Sequence, residues 1–368
     1  PVPPSPGVGA RRRGPKGQLL PTLPLSAFSP PNTGTSEQFP LAPDPTTINP
    51  QKVIDANVRV PGGDLSQWKK EIGKALEPEK IGGIVVNLTG TPEDEIEKTV
   101  KELSASSSSE NIIAILVPFS LENGAPSTTP SYLSTTSNPP VVLATTYKGP
   151  SPKSAAALRW ALENGFTVDL DIAANLREGE GGWEALESLF GEAVPHGSPT
   201  PGGKVILSNL LPPPDDLTLP IVKLLTHSTY QTYQAHVSAI SLYANVFIKF
   251  LPPAWGQPTP PTPAPKPETK EEEEPQTPAN DSAALPWKDT KEKREWKKRI
   301  KMYIGHALEA FGFQRIIFGS SPSPSSHSPS NAGDWYELAR ESFAELGLEQ
   351  DDIDAVFYSN AKKAFSSS

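Results

Sequence analysis

The sequence predicts an α/β fold, a (β/α)8 barrel of the TIM type, and three observations carry that expectation. Eight short apolar segments suited to strands succeed one another between residues 52 and 321. Each but the third is followed by a stretch with helical periodicity. The strand segments read as continuous apolar runs, as parallel strands covered on both faces do. A closed parallel barrel satisfies all three. An open doubly wound sheet is the alternative, but no G-x-G-x-x-G follows an early strand, and the P-G-G triplets at 61–63 and 201–203 lack the lysine and helix context of a phosphate loop.

Taken in order, residues 1–48 are rich in Pro, Ser, Thr and Gly and poor in aromatics, which predicts a disordered tail. "KVIDANVRV" (52–60) is the first strand, and "DLSQWKKEIGKAL" follows with Leu65, Trp68, Ile72 and Leu76 at helical spacing. "IGGIVVNLTG" is the second strand; the helix after it opens on Thr91, with Pro92 at the first helical position and acids in the first turn. "NIIAILVPFS", a polar interruption at about 122–139, and "PVVLATTYKG" come next. "SPKSAAALRWALENG" is a helix closed by Gly165, "FTVDLDIA" the fifth strand, and "GGWEALESLFGEAV" the helix behind it. "GKVILSNLL" is the sixth strand, followed by one long helix over about 218–243. "NVFIKFLP", the helix "EKREWKKRIKMYIGHALEAFG", "RIIFGSS", and the helices "DWYELARESFAELGL" and "DDIDAVFYSNAKKAF" complete the chain.

The domain expectation is therefore a single barrel over 49–368, with a Pro/Thr/Glu-rich disordered insertion at 252–285 after the seventh strand. Of 368 residues, 44 are proline and concentrated in a few stretches. Roughly 270 residues then remain for a core, the usual size of one such barrel.

Composition excludes several classes. The 33 basic and 42 acidic residues give a net charge of −9, and the folded part carries no basic stripe with interleaved aromatics, so nucleic acid is not an expected partner. Zero cysteines exclude disulfides, thiolate metal sites and a cysteine nucleophile. No apolar run approaches the roughly 18 residues that span a bilayer, so no membrane association is expected. The chain starts on Pro1, which reads as processing or truncation. "ARRRGPKGQ" and the lack of acids before Glu37 resemble an organelle transit segment, leaving the compartment unknown, cytoplasmic or mitochondrial.

"IDANVRV", "GKVILSNLLPPP", "NVFIKF" and "HALEAFGFQRIIFGSSPSP…DWYELARESFAELGL…DAVFYSNAKKAF" resemble the amidohydrolase-related branch of the amidohydrolase superfamily, which includes hydrolases of sugar lactones and of pyrone dicarboxylate. The resemblance covers about residues 52–366 and implies a barrel that hydrolyses with a metal-activated water, or in some lactonases without a metal. It also implies ligands: His-x-His ending the first strand, a His after the sixth and an Asp after the eighth. On this chain those positions are Asn57 and Arg59, Asn209 and Ser321. An amide is a poor ligand for a transition metal, a guanidinium is a permanent cation, and a serine offers no accessible base, so neither a metal nor another cofactor is expected.

The histidines do not replace the lost ligands. His227, His236 and His306 fall in helical stretches and read as surface or core-edge residues, and His196 lies in a Pro/Gly loop. Only His327 is placed to reach the barrel mouth. Strand alternation puts Asp55, Asp169 and Asp171 nearest Arg59, so Arg59 is expected to be buried as the cavity's positive charge and held by Asp171 or Asp169. That pair reads either as a structural salt bridge or as part of an anion site, in which Arg59, Lys148 and Lys249 bind a small anionic ligand. A general base would have to be Asp169 or Asp171.

The functional expectation is an amidohydrolase-like barrel without its metal site, a catalytically inactive binding or scaffold subunit for other protein subunits. The alternative is a metal-independent hydrolase of a lactone or other small anionic substrate. Asn57, Asn209 and Ser321 join Arg59, Lys148 and Lys249 as expected ligand-binding residues.

Overall fold

The computed structural model describes residues 48–126, 129–134, 137–176, 182–194, 203–262 and 290–366. The expected tail, but for its last residue, lies outside them, as do His196 and the expected insertion from residue 263 onward. All the described residues belong to one compact unit, which begins at Asp44.

Eight parallel strands form one sheet in the order of the sequence: β1 (Val53–Arg59), β2 (Ile81–Asn87), β3 (Ile112–Pro118), β4 (Val141–Tyr147), β5 (Val168–Ile172), β6 (Val205–Leu211), β7 (Val246–Phe250) and β8 (Ile316–Phe318). Beyond its last residue β8 comes back to β1, where the Ser321 amide donates to the Asn57 carbonyl at 3.0 Å. The barrel is nearly closed. Gly319 permits that approach: a Cβ there would lie 2.9 Å from the Cβ of Asn57 and 2.7 Å from Leu251.

Helices cover the outside: α1 (Ser66–Ile72), α2 (Glu93–Glu110), α3 (Ser154–Glu163), α4 (Trp183–Ala193), α5 (Ile221–Leu224), α6 (Ser228–Ser241), α7 (Lys291–Phe311) and α8 (Ala332–Ala344), then α9 (Gln350–Asp354), a π turn at Ala355–Ser359 and α10 (Asn360–Phe365). Strand residues that point outward, such as Val53, Leu170, Leu207 and Phe250, pack on these helices. The inward residues Ile54, Ala56, Val85, Ala114, Leu116, Val142, Ala144, Ile206, Phe247 and Ile317 fill the barrel, and Ala361, Ala364 and Phe365 of α10 close its floor. Branched and aromatic side chains, with three alanines among them, thus pack the bore as a core rather than leave it a pore.

Three details differ from the sequence expectation. The long helix after β6 is two, because the chain is extended at His227, whose ring caps α6 by accepting from the Thr229 amide (3.3 Å). Helix α2 starts one residue late, with Pro92 itself in the capping position and no side-chain cap. The register of β1 against β2 shifts between Asp55 and Val58. That shift changes which way the Asp55 side chain points. By contrast Gly165 ends α3 as expected, with φ of 79° and its amide on Leu162.

Candidate functional site

At the C-terminal ends of the strands lies a cavity of about 690 Å³. Barrel enzymes keep their active sites at this end because loops from all eight strands converge there. Arg59, Lys148 and Asn209 line it, each carried by or just beyond a strand end, together with Thr89, Thr146, Ser325 and His327. Trp183, Tyr233 and Tyr303 supply an aromatic wall, in which the Tyr233 and Tyr303 rings meet edge to face at 5.1 Å. No Asp or Glu lines the cavity among the described residues. The hydroxyls of Tyr233 and Thr89 have no hydrogen-bond partner among the described residues.

Below the cavity the barrel holds a buried ionic layer, and here the expected roles of two cations are exchanged. Arg59 is exposed and has no acidic partner among the described residues; it is not the buried charge. Lys249 is. Its Nζ lies 2.6 Å from Oδ2 of Asp169, both side chains almost wholly inaccessible, while Ser208 donates to Oδ1 at 2.6 Å. Lys249 therefore takes no part in lining the cavity, and Asp169 is bound to it rather than to Arg59. The reason is reach: the inward face of β7 carries Phe247 and then Lys249, and the flexible lysine extends past β6 to β5.

Asp55 corrects the expectation in the other direction. The register shift in β1 turns its carboxylate outward, away from the cavity. Oδ1 accepts from the amides of Ser320 (2.9 Å) and Asn57 (3.1 Å), and Oδ2 accepts from Trp68 Nε1 (2.8 Å) and the Ser320 hydroxyl. It ties β1, α1 and the loop after β8 together.

Asn57 and Ser321, both expected to bind ligand, also serve the closure of the barrel. Asn57 donates to the carbonyls of Ser321 (2.8 Å) and Pro322 (3.4 Å) and accepts from Asn87 (2.9 Å). Its donor and acceptor groups are engaged, and neither residue lines the cavity. The Ser321 hydroxyl accepts from the Arg59 amide at 3.1 Å. Asn209 does line the cavity. It sits in the left-handed region at φ of 62°, within an irregular stretch of the β6–β7 pairing. From there its Nδ2 donates to the Ile172 carbonyl (2.8 Å) and the Ser325 hydroxyl (3.1 Å).

Asp171, the other expected base, lies under the cavity floor and is covered by Ser325. Oδ1 accepts from the Ser325 hydroxyl at 2.7 Å and Oδ2 from the Ser325 amide at 2.9 Å. Burial pushes its carboxyl up to about 6, with the neighbouring Asp169 adding to the rise and the Ser325 donors opposing it. The folded protein thus holds this proton more tightly than the unfolded chain, whose carboxyl titrates near 3.8. Stability falls as pH rises through that window and levels off above it. Asp171→Asn removes this dependence, on the order of 3 kcal/mol across about two pH units. Urea titrations of both proteins at pH 4 and pH 7 test it; parallel pH curves contradict it.

Two of the histidines sit in helices as expected: His236 stacks on Trp183 at 5.3 Å and contacts Glu187, and His306 contacts the Gln234 carbonyl. His227 does not; it lies in extended backbone and caps α6. His327 reaches the cavity. Sequence reasoning missed Ser325 and the aromatic wall. The only signal for Ser325 was a serine-rich loop beyond the eighth strand, and the three aromatics read as ordinary core positions of helices.

A divalent metal, which the sequence resemblance implies, does not fit this donor set. Asn57 is engaged on both sides, Asp171 is engaged by Ser325, and the mouth presents cations. Among the described residues no three of His, Asp and Glu come together as a cation site.

Comparison with known proteins returns the fold. No family model matches the chain, and no curated protein matches it. A zinc-bound amidohydrolase from Burkholderia multivorans aligns with a TM-score of 0.51 at 12% identity, over 85% of this chain and 99% of that one. A putative 2-pyrone-4,6-dicarboxylic acid hydrolase from Pseudomonas putida aligns with a TM-score of 0.51 at 12% identity, over 86% and 97%. The likeness is one of fold. Among the described residues no helix is long and apolar enough to cross a membrane.

Proposed function

We propose that this chain is a metal-free binding subunit whose barrel mouth holds a small anionic molecule. One observation carries the reading: the charged lining of the cavity is Arg59 and Lys148, with no carboxylate in the wall among the described residues. A cavity with such walls attracts an anion, and a guanidinium fork matches a carboxylate. The Trp183, Tyr233 and Tyr303 rings in the wall suit an apolar body.

Calorimetric titration with phthalate and succinate tests it. Binding is expected, with phthalate the tighter because it can cover the aromatic wall. Arg59→Ala and Lys148→Ala each weaken it at least about tenfold, equivalent to about 1.4 kcal/mol. Both residues are exposed, so the unfolding midpoint stays where it is. Absence of binding by either anion contradicts the reading.

A second reading, metal-independent hydrolysis of a lactone or other small anionic substrate, is favoured by one arrangement: a serine hydroxyl at the cavity, hydrogen-bonded to a buried carboxylate, Ser325 on Asp171.

A further inference from the structure

We propose that Ser325 is a nucleophile toward activated acyl groups, with Asp171 as its general base. The proposal rests on the mouth being a ligand-binding cavity and adds a chemical step to it. A serine needs a base within hydrogen-bond reach to attack a carbonyl, and the Ser325 hydroxyl lies 2.7 Å from Oδ1 of Asp171. The oxygen is held by a third group, Asn209 Nδ2 at 3.1 Å, which fixes its direction, and the Ser323 hydroxyl lies farther off at 3.4 Å. Ser325 is partly exposed and lines the cavity, while Asp171 beneath it is screened from solvent.

Anchoring of the loop does not account for this arrangement. The Ser325 amide already donates to the second oxygen of the same carboxylate at 2.9 Å, so an alanine at this position would keep an anchor. The hydroxyl bond is additional to it. Asp171 is also a carboxylate whose burial raises its basicity into the range useful to a general base near neutral pH.

The step balances without a cofactor. As the Ser325 Oγ forms a bond to the carbonyl carbon of an ester or lactone, its proton passes to Asp171. The C–O bond to the leaving alkoxide then breaks, and that alkoxide takes the proton. Water next attacks the acyl-serine, giving its proton through Asp171 to the departing Ser325 oxygen and releasing the acid. Arg59 and Lys148 in the same cavity favour acyl groups that carry a carboxylate.

The test is covalent labelling of the full chain with a fluorophosphonate probe, read by intact mass and peptide mapping, beside the phthalate titration. One adduct per chain on Ser325 is expected, absent in Ser325→Ala. Asp171→Asn slows labelling by about a hundredfold. Because that variant also alters the loop contacts, the wild-type pH profile is a second arm: the labelling rate falls about tenfold per pH unit below about 6. A chain that binds phthalate but takes no label on Ser325, or labels at a pH-independent rate, overturns the nucleophile and leaves the binding reading standing. A chain that neither binds nor labels overturns both.

Discussion

Lys249→Ala is expected to lower the unfolding free energy by about 3 to 5 kcal/mol. The variant leaves the Asp169 carboxylate deep in the barrel with the Ser208 hydroxyl as its remaining partner. A charge taken out of water is tolerable only when an opposite charge and hydrogen bonds face it, and removing one partner leaves the whole desolvation penalty on the other. Replacing both charges with apolar residues of similar volume is expected to cost less than either single change. Lys249→Met with Asp169→Leu is that experiment, because the pair sits among Ile206, Phe247 and Ile317 on the inward face and an apolar filling suits those neighbours. Urea denaturation of the three proteins measures it. A loss below about 1 kcal/mol for Lys249→Ala means that the lysine is solvated and the buried ionic layer does not exist.

Asp55→Ala is expected to cost about 4 kcal/mol, because every partner of this carboxylate is a donor. The Ser320 and Asn57 amides lose their acceptor at 2.9 and 3.1 Å, and Trp68 Nε1 loses one at 2.8 Å. Main-chain amides in the interior cannot turn away to find another acceptor. The isosteric Asp55→Asn recovers only part of the loss, since its amide nitrogen presents a donor to donors. Intrinsic fluorescence adds a local readout, because Trp68, on the buried face of α1, is held by this bond. If Asn restores full stability, the four-donor arrangement is wrong.

Most of the fold was legible in the sequence, and the reason is periodicity. Eight apolar strand runs separated by helical stripes allow few solutions other than a closed parallel barrel, and punctuation such as Gly165 marked where a helix ends. The site was legible by address but not by orientation. Asn209 and Lys148 do line the cavity, and Asp171 lies directly beneath it. Asp55 was misplaced because alternation along β1 was taken as unbroken, whereas a register shift between Asp55 and Val58 turns it outward. No composition signal announces such a shift. The side-chain length that lets Lys249 reach Asp169 past β6 likewise depends on the inward spacing of the strands, which a sequence does not carry. Ser325 became visible only once the loop after β8 was folded over Asp171.

The exchange has a consequence for function. The charge buried in the barrel is balanced internally by Lys249 and Asp169, so Arg59 is free of an acidic partner among the described residues and available at the mouth.

The most direct measurement is the phthalate titration on chelator-treated protein, repeated after one equivalent of zinc is added. Equal affinity in both, with that affinity lost in Arg59→Ala, is the predicted result. Binding that appears only with zinc, or a purified chain that carries one zinc per molecule before chelation, contradicts it.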